Sequence, residues 1–230
     1  MDSQKLRLDH VQVYDVANQD AGFLVGLQGQ FDEQRERAKL TYLNAFANPV
    51  SKNGEPIYDK NAHLTWYNLF DYVPEPTRLV VFENQFGVQK ILTGRAIALL
   101  APAQKYEKGS EFPKELDHYK VYQVLQGEPV GRGVKLRDQF DHREAEVTYP
   151  WAFAVPVRKW HEGSTFGVHN AKAHLAFYKI TPGSVQKARV VRDQFGRRYL
   201  HIYRSVLLGV PSVKRVVPAL TDQRSQMLGV

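Results

Sequence analysis

Three short motifs return four times along the chain. This recurrence constrains the fold more than any other property of the sequence, because one supersecondary unit has to be built four times over. His-x-x-x-Tyr occurs at His10/Tyr14, His63/Tyr67, His118/Tyr122 and His174/Tyr178. Gln-Phe follows at Gln30-Phe31, Gln85-Phe86, Gln139-Phe140 and Gln194-Phe195, at intervals of 55, 54 and 55 residues. Pro-x-x-Lys closes each unit at Pro49/Lys52, Pro102/Lys105, Pro156/Lys159 and Pro211/Lys214. The order of the three never varies.

The units alternate in kind. Units one and three carry Leu-Asp-His (Leu8 to His10, Leu116 to His118) and Gln-Phe-Asp (Asp32, Asp141), whereas units two and four carry Ala-His-Leu (Ala62 to Leu64, Ala173 to Leu175) and Gln-Phe-Gly (Gly87, Gly196). The alternation predicts two modules of about 110 residues, 1–113 and 114–214, with a C-terminal tail or arm over 215–230.

Each unit reads as β. The segments opening on the histidine are short, rich in β-branched and aromatic residues and bounded by turn formers. In Arg132 to Arg137, Val134 and Leu136 alternate with Lys135 and Arg137, the period of a half-buried strand. The stretch from Gln34 to Asn44 has some helical character, but repeat equivalence makes it strand. Gln-Phe sits between two such runs, where the following Gly or Asp is expected to supply the backbone angles of a hairpin turn. This predicts an all-β chain of about three strands per unit, closed as a pseudo-twofold sandwich or barrel in each module. The alternative is a four-bladed propeller. The prolines are expected to end the third strand and the repeat lysines to guard a sheet edge. Segments 53–62, 106–117 and 160–173 read as exposed loops.

Leu116 to Val124, Val134 to Phe140 and Phe153 to Lys159 together resemble an uncharacterised bacterial repeat family whose members tend to be exported. The resemblance spans nearly all of residues 8–214 and implies a fold rather than a reaction. The family commonly has a Cys before the Tyr and another two residues before the Pro. This chain has no cysteine, and those positions hold Val13 and Ala47, Trp66 and Leu100, Val121 and Ala154, Phe177 and Gly209. If the family positions are bridged, each of these pairs is expected to be in contact here. The resemblance implies an exported or periplasmic setting. The opening residues lack the apolar core of a signal peptide, which points instead to the cytoplasm or to a processed chain.

Composition excludes several classes. Hydrophobic residues make up 43% and charged residues 24%, a globular balance. Without cysteine there is no thiol catalysis, Cys-ligated zinc or iron–sulfur cluster. No apolar run reaches the ~18 residues a membrane-spanning helix needs. Walker loops, dinucleotide fingerprints and nucleophile elbows are missing, and no cofactor is expected. The four histidines, His10, His63, His118 and His174, are the one candidate set for a metal site or an enzyme centre, since four equivalent strands of a propeller would converge on its axis. Recurrence in every unit favours a scaffold role for them.

The formal net charge of +7 is unevenly spread: residues 1–115 carry −2 and residues 116–230 carry +9. Lys187, Arg189, Arg192, Arg197, Arg198 and Arg204 crowd into unit four, interleaved with Tyr199 and Tyr203. They form a candidate surface for a polyanion or a carbohydrate. Nucleic acid is disfavoured as the ligand because no recognised binding module accompanies them. The leading expectation is a non-catalytic component of a larger assembly, presenting surfaces to a protein partner or to other copies. Head-to-tail packing of an acidic first half on a basic second half is one way copies would associate.

Overall fold

The fold is that of a computed structural model, which describes residues 6–71 and 75–215. Twelve strands run through them: β1 Val11–Gly29, β2 Glu36–Pro49, β3 Ser51–Lys52, β4 His63–Asp71, β5 Arg78–Asn84, β6 Gly87–Lys105, β7 His118–Gly127, β8 Arg132–Arg137, β9 His142–His161, β10 Ser164–Phe166, β11 His174–Asp193 and β12 Gly196–Arg215. All belong to one sheet. The local cause is the predicted alternation. Along β8, Val134 and Leu136 are buried between exposed Lys135 and Arg137. Along β12, Leu200 and Ile202 are buried between exposed Tyr199, His201 and Tyr203.

Each unit is a long hairpin turning at its Gln-Phe pair. Its first arm is β1, β4 with β5, β7 with β8, or β11. Its returning arm is β2, β6, β9 or β12. Near the histidine, neighbouring units pair side by side: β2 with β4, β6 with β7, β9 with β11, and β12 back to β1 through Val11↔Gly209. The eight hairpin arms therefore close a ring of antiparallel pairs. One hydrophobic cluster fills it, with side chains from all eight: Val11 and Val13, Ala45 and Ala47, Leu64 and Trp66, Ala98 and Leu100, Tyr119 and Val121, Ala152 and Ala154, Leu175 and Phe177, and Leu207. The inward side chains of a closed barrel meet in one interior in this way.

Beyond the ring each hairpin bends. Units one and four do so at bulges, where Asp15↔Ala45 gives way to Gln19↔Leu43, and Lys179↔Leu207 to Gly183↔Ser205. In units two and three the first arm is interrupted between β4 and β5 and between β7 and β8. Extra residues on one strand bend it and increase its twist. The bent halves then reach the unit two places away. The tip of unit one pairs with β9 (Gly29↔Val157), that of unit two with β12 (Val81↔Arg215), that of unit three with β3 (Leu136↔Lys52) and that of unit four with β6 (Val191↔Lys105). A second, larger cluster lies between these halves (Val25, Leu27, Leu40, Val80, Leu200) and the outer face of the ring (Tyr14, Phe46, Tyr67, Phe153).

This architecture departs from the expected one in several places. Strand pairs cross residue 113 throughout, so the strands are not divided between two sandwiches at 1–113 and 114–214. They also do not form four separate propeller blades. The prolines do not all end strands, for Pro102, Pro156 and Pro211 lie inside β6, β9 and β12. Each sits two residues past the last pair with the following unit: Leu100↔Tyr119, Ala154↔Leu175 and Gly209↔Val11. Pro49 shows why this is tolerated. Val50 donates its N–H to the His10 carbonyl, so the neighbouring Pro49 nitrogen points the other way, past the last β2–β4 pair, Ala47↔Leu64. No ladder bond is lost there. Residues 160–173 contain the short β10, and the tail expected over 215–230 lies, past Arg215, outside the described residues.

Candidate functional site

The repeat motifs meet in space, with each Gln-Phe turn collecting side chains from two other units. Phe140 receives the edge of Tyr14 at 5.3 Å, Phe195 that of Tyr67 at 5.0 Å, Phe31 that of Tyr122 at 5.1 Å and Phe86 that of Tyr178 at 5.2 Å. In every case the tyrosine comes from two units away. Its hydroxyl goes to the turn itself: Tyr14 donates to Asp138 at 2.8 Å, Tyr67 to Asp193 at 2.6 Å and Tyr122 to Asp32 at 3.4 Å, while Tyr178 accepts from Asn84 Nδ2 at 2.8 Å.

These turn carboxylates and amides also hold their own backbone. Asp138, Asn84 and Asp193 accept the N–H of Phe140, Phe86 and Phe195, and Asp32 accepts that of Gly29. Gly87 and Gly196 take positive φ (101° and 116°) as expected, but Asp32 and Asp141 do not. Side-chain bonding to the turn backbone is common to all four turns, so the positive backbone angle is a feature of the glycine turns alone.

The histidines come from the preceding unit. His10 Nε2 meets Gln85 Oε1 at 3.0 Å, His118 Nε2 meets Gln194 Oε1 at 2.8 Å, and the His174 ring meets the Gln30 amide. Burial pushes all four imidazoles below their usual range, His10 and His174 to about 4 and His118 to about 3, and so keeps them neutral. Three of them go to three different turns, and His63 packs against the Phe46 ring at 5.6 Å, so the four do not gather into a common site. The lysines follow the same rule. Lys105, Lys159 and Lys214 lie over the rings of Phe140, Phe195 and Phe31 at 4.8, 4.7 and 5.0 Å. Lys52, Lys105 and Lys159 are buried, so they do not guard an edge. Burial lowers Lys159 to about 7 and Lys105 to about 8.

The Leu-Asp-His aspartates have a separate task. Asp9 accepts the backbone N–H groups of Tyr58 and Asp59, and Asp117 those of His169 and Asn170, so each clamps the loop leading out of one unit and into the next. The four pairs of positions tied to family cysteines are each in contact. Val13↔Ala47, Trp66↔Leu100, Val121↔Ala154 and Phe177↔Gly209 are direct cross-strand partners inside the barrel.

The basic residues of unit four are split by the two faces of the β11–β12 ribbon. Arg192, Arg197, Tyr199, His201 and Tyr203 are exposed on one face, with Arg192 directly opposite Arg197 and Val190 opposite Tyr199. Lys187 is exposed beside the bulge. Arg189 and Arg198 turn to the other face, their guanidinium groups 5.2 Å from the Phe140 ring and 5.7 Å from the Phe23 ring. Arg204 is bound to Asp15 at 2.7 Å. The outward face is thus Arg192, Arg197, Tyr199 and Tyr203, with His201 between the tyrosines. Among the described residues neither Arg192 nor Arg197 has a carboxylate partner, and Arg197 lies over the Tyr106 ring at 4.0 Å.

Sequence reasoning missed one cluster. Lys120 Nζ, buried, lies 3.1 Å from Asp32 Oδ1, 2.7 Å from Glu36 Oε2 and 2.6 Å from Glu75 Oε1. The available signal was a break in the repeat. The position two after each motif histidine is Gln12, Thr65, Lys120 and Ala176, and only unit three puts a charge there. The three carboxylates, with oxygens within 4.8 Å of one another, form the one metal-competent acidic group among the described residues, and the lysine ammonium lies against them.

Fold and turn chemistry together define an all-β repeat protein whose repeated polar residues are structural joints. The family description "Repeat of unknown function (DUF7450)" matches residues 63–211, and the chain belongs to that family. The match opens on one motif histidine, His63, and closes on one motif proline, Pro211. No curated protein and no solved structure matches the chain.

Proposed function

We propose that the protein is a non-catalytic structural or binding component of a larger assembly, presenting the outer faces of its hairpins to a protein partner or to other copies. One observation carries this reading. The side chains repeated four times are engaged inside the fold, while large apolar and aromatic groups stand exposed on the hairpin arms, including Phe70 at 56%, Leu125 at 55%, Tyr199 at 54% and Tyr203 at 50%. Exposed aromatics favour association surfaces. Sizing well above 26.4 kDa, or salt-resistant co-purification with a large complex, is the expected outcome. A monodisperse monomer at high concentration with no bound partner contradicts the proposal.

A second reading has its own observation. Like charges directly opposite on a sheet repel, and Arg192 faces Arg197 with no ion-pair partner for either among the described residues. The one acid next to them in the chain, Asp193, has its carboxylate buried on Tyr67 and Thr65; a bound anion would relieve the repulsion, so the outward face of unit four fits a polyanion. Titration with DNA, anionic vesicles and acidic polysaccharide at two salt concentrations tests this. Affinity should fall with salt, and R192E/R197E should abolish it while Lys39→Glu, on a different arm, has little effect. Binding that ignores both salt and the double substitution rejects the polyanion reading.

A further inference from the structure

We propose that Lys120 and Asp32 join in an intramolecular isopeptide bond, formed by the folded chain itself with Glu75 carrying the proton. The bond would tie the hairpin tip of unit one to a ring strand of unit three. The reacting groups are already adjacent, with Nζ 3.1 Å from Asp32 Oδ1, the oxygen that would leave, and the side chains 1% and 0% exposed. Both ends are held. Lys120 lies in β7 between β6 and β9, and Asp32 Oδ2 receives the Gly29 N–H at 2.7 Å. Fixed neighbours of this kind reach effective concentrations far above those of free groups in solution.

The surroundings supply what amide formation needs. Glu75 Oε1 is 2.6 Å from Nζ, and its other oxygen is bound by Arg78 at 2.6 Å, so it is aimed at the amine. Glu75 takes one proton from the ammonium, and the amine then attacks Asp32 Cγ. Negative charge growing on Oδ2 falls on the Gly29 N–H, a donor already in place. The Nζ–Cγ bond forms and the Cγ–Oδ1 bond breaks. Oδ1 leaves as water, carrying the proton from Glu75 and a second one from the nitrogen, so no outside reagent is required. Tyr122, whose ring centre is 5.5 Å from Nζ, and Phe31 packed against it wall off that side. The product removes two buried charges that are costly to hold in a protein interior. Units one, two and four, with Gln12, Thr65 and Ala176 at the equivalent place, cannot react this way.

The test is the intact mass of the full chain purified without heating. The expected value lies below the sequence mass by one water molecule, with a branched peptide joining the segments that contain residues 32 and 120. Lys120→Arg keeps a cation in the cluster and should show the full mass and slower migration on a denaturing gel, because the closed loop is opened. Asp32→Asn should lose ammonia in place of water and reach the same final mass as the unsubstituted protein. Glu75→Gln should slow or abolish the reaction in a folded chain. Full mass in the unsubstituted protein overturns the proposal, and so does a water loss that maps to any other pair of residues.

Discussion

At the scale of single residues, the turn tyrosines show how a repeated polar group becomes a joint. Tyr67 places its hydroxyl on Asp193 together with Thr65 at 2.7 Å, and the carboxylate is buried. Tyr67→Phe removes one donor and leaves a buried charge short of a partner, at a cost of about 1–3 kcal/mol. Urea denaturation should show it, whereas Leu79→Ala, on an exposed side chain, should stay within about 0.5 kcal/mol. The histidines set a pH dependence. Their usual value is 6.5, and in the fold they are held down to about 4 for His10 and His174 and about 3 for His118. Between those values the unfolded chain binds more protons, so stability rises with pH in that window. It is fully present above about pH 6.5 and is lost as the pH falls toward 4. Asp9, Asp117, Asp138 and Asp193 are pushed up by burial and act in the opposite sense, nearer the carboxylate range. The clean comparison is therefore pH 7 against pH 5. The urea midpoint should be lower at pH 5, and an equal or higher midpoint there contradicts the account.

At the scale of strands and hairpins, the paired positions inside the barrel give a geometric test. Val50 bonds to His10, so Val13 and Ala47 fall at a non-hydrogen-bonded cross-strand site, where side chains are closest. V13C/A47C should form a disulfide on mild oxidation, detectable as protection from thiol labelling in the unfolded state. Persistent free thiols would mean that the register differs. The four hairpins were legible because a motif recurring every ~54 residues marks its turns directly, and the β period was visible in segments such as Val134 to Leu136. The bends were not legible. Extra residues between Asp15 and Gln19 leave no hydrophobic signature, so one long bent arm reads as two short strands. The split of the basic patch was hidden for the same reason: Arg198 and Arg197 are neighbours in sequence but lie on opposite faces of a strand. The Lys120 cluster draws its acids from two other units, and no local pattern announces it.

At the scale of the molecule, the pairing of every tip with the unit two places on makes the halves interdependent. Fragments 1–113 and 114–230 should each lack a cooperative unfolding transition, because every half lacks both ring neighbours and tip partners. The mixed fragments are expected to regain β structure by circular dichroism, and an independently folded 1–113 would restore the two-module description. The reach of two places also fixes the copy number. In an open solenoid, units are gained or lost at little cost because each touches only its neighbours. Here a chain of three hairpins leaves tips without acceptors, and a fifth hairpin breaks the reciprocity in which unit one serves unit three and unit three serves unit one. Duplication of a single unit, the usual way repeat proteins lengthen, is thereby closed to this fold, and descendants are confined to drift within four slots whose number is fixed by geometry.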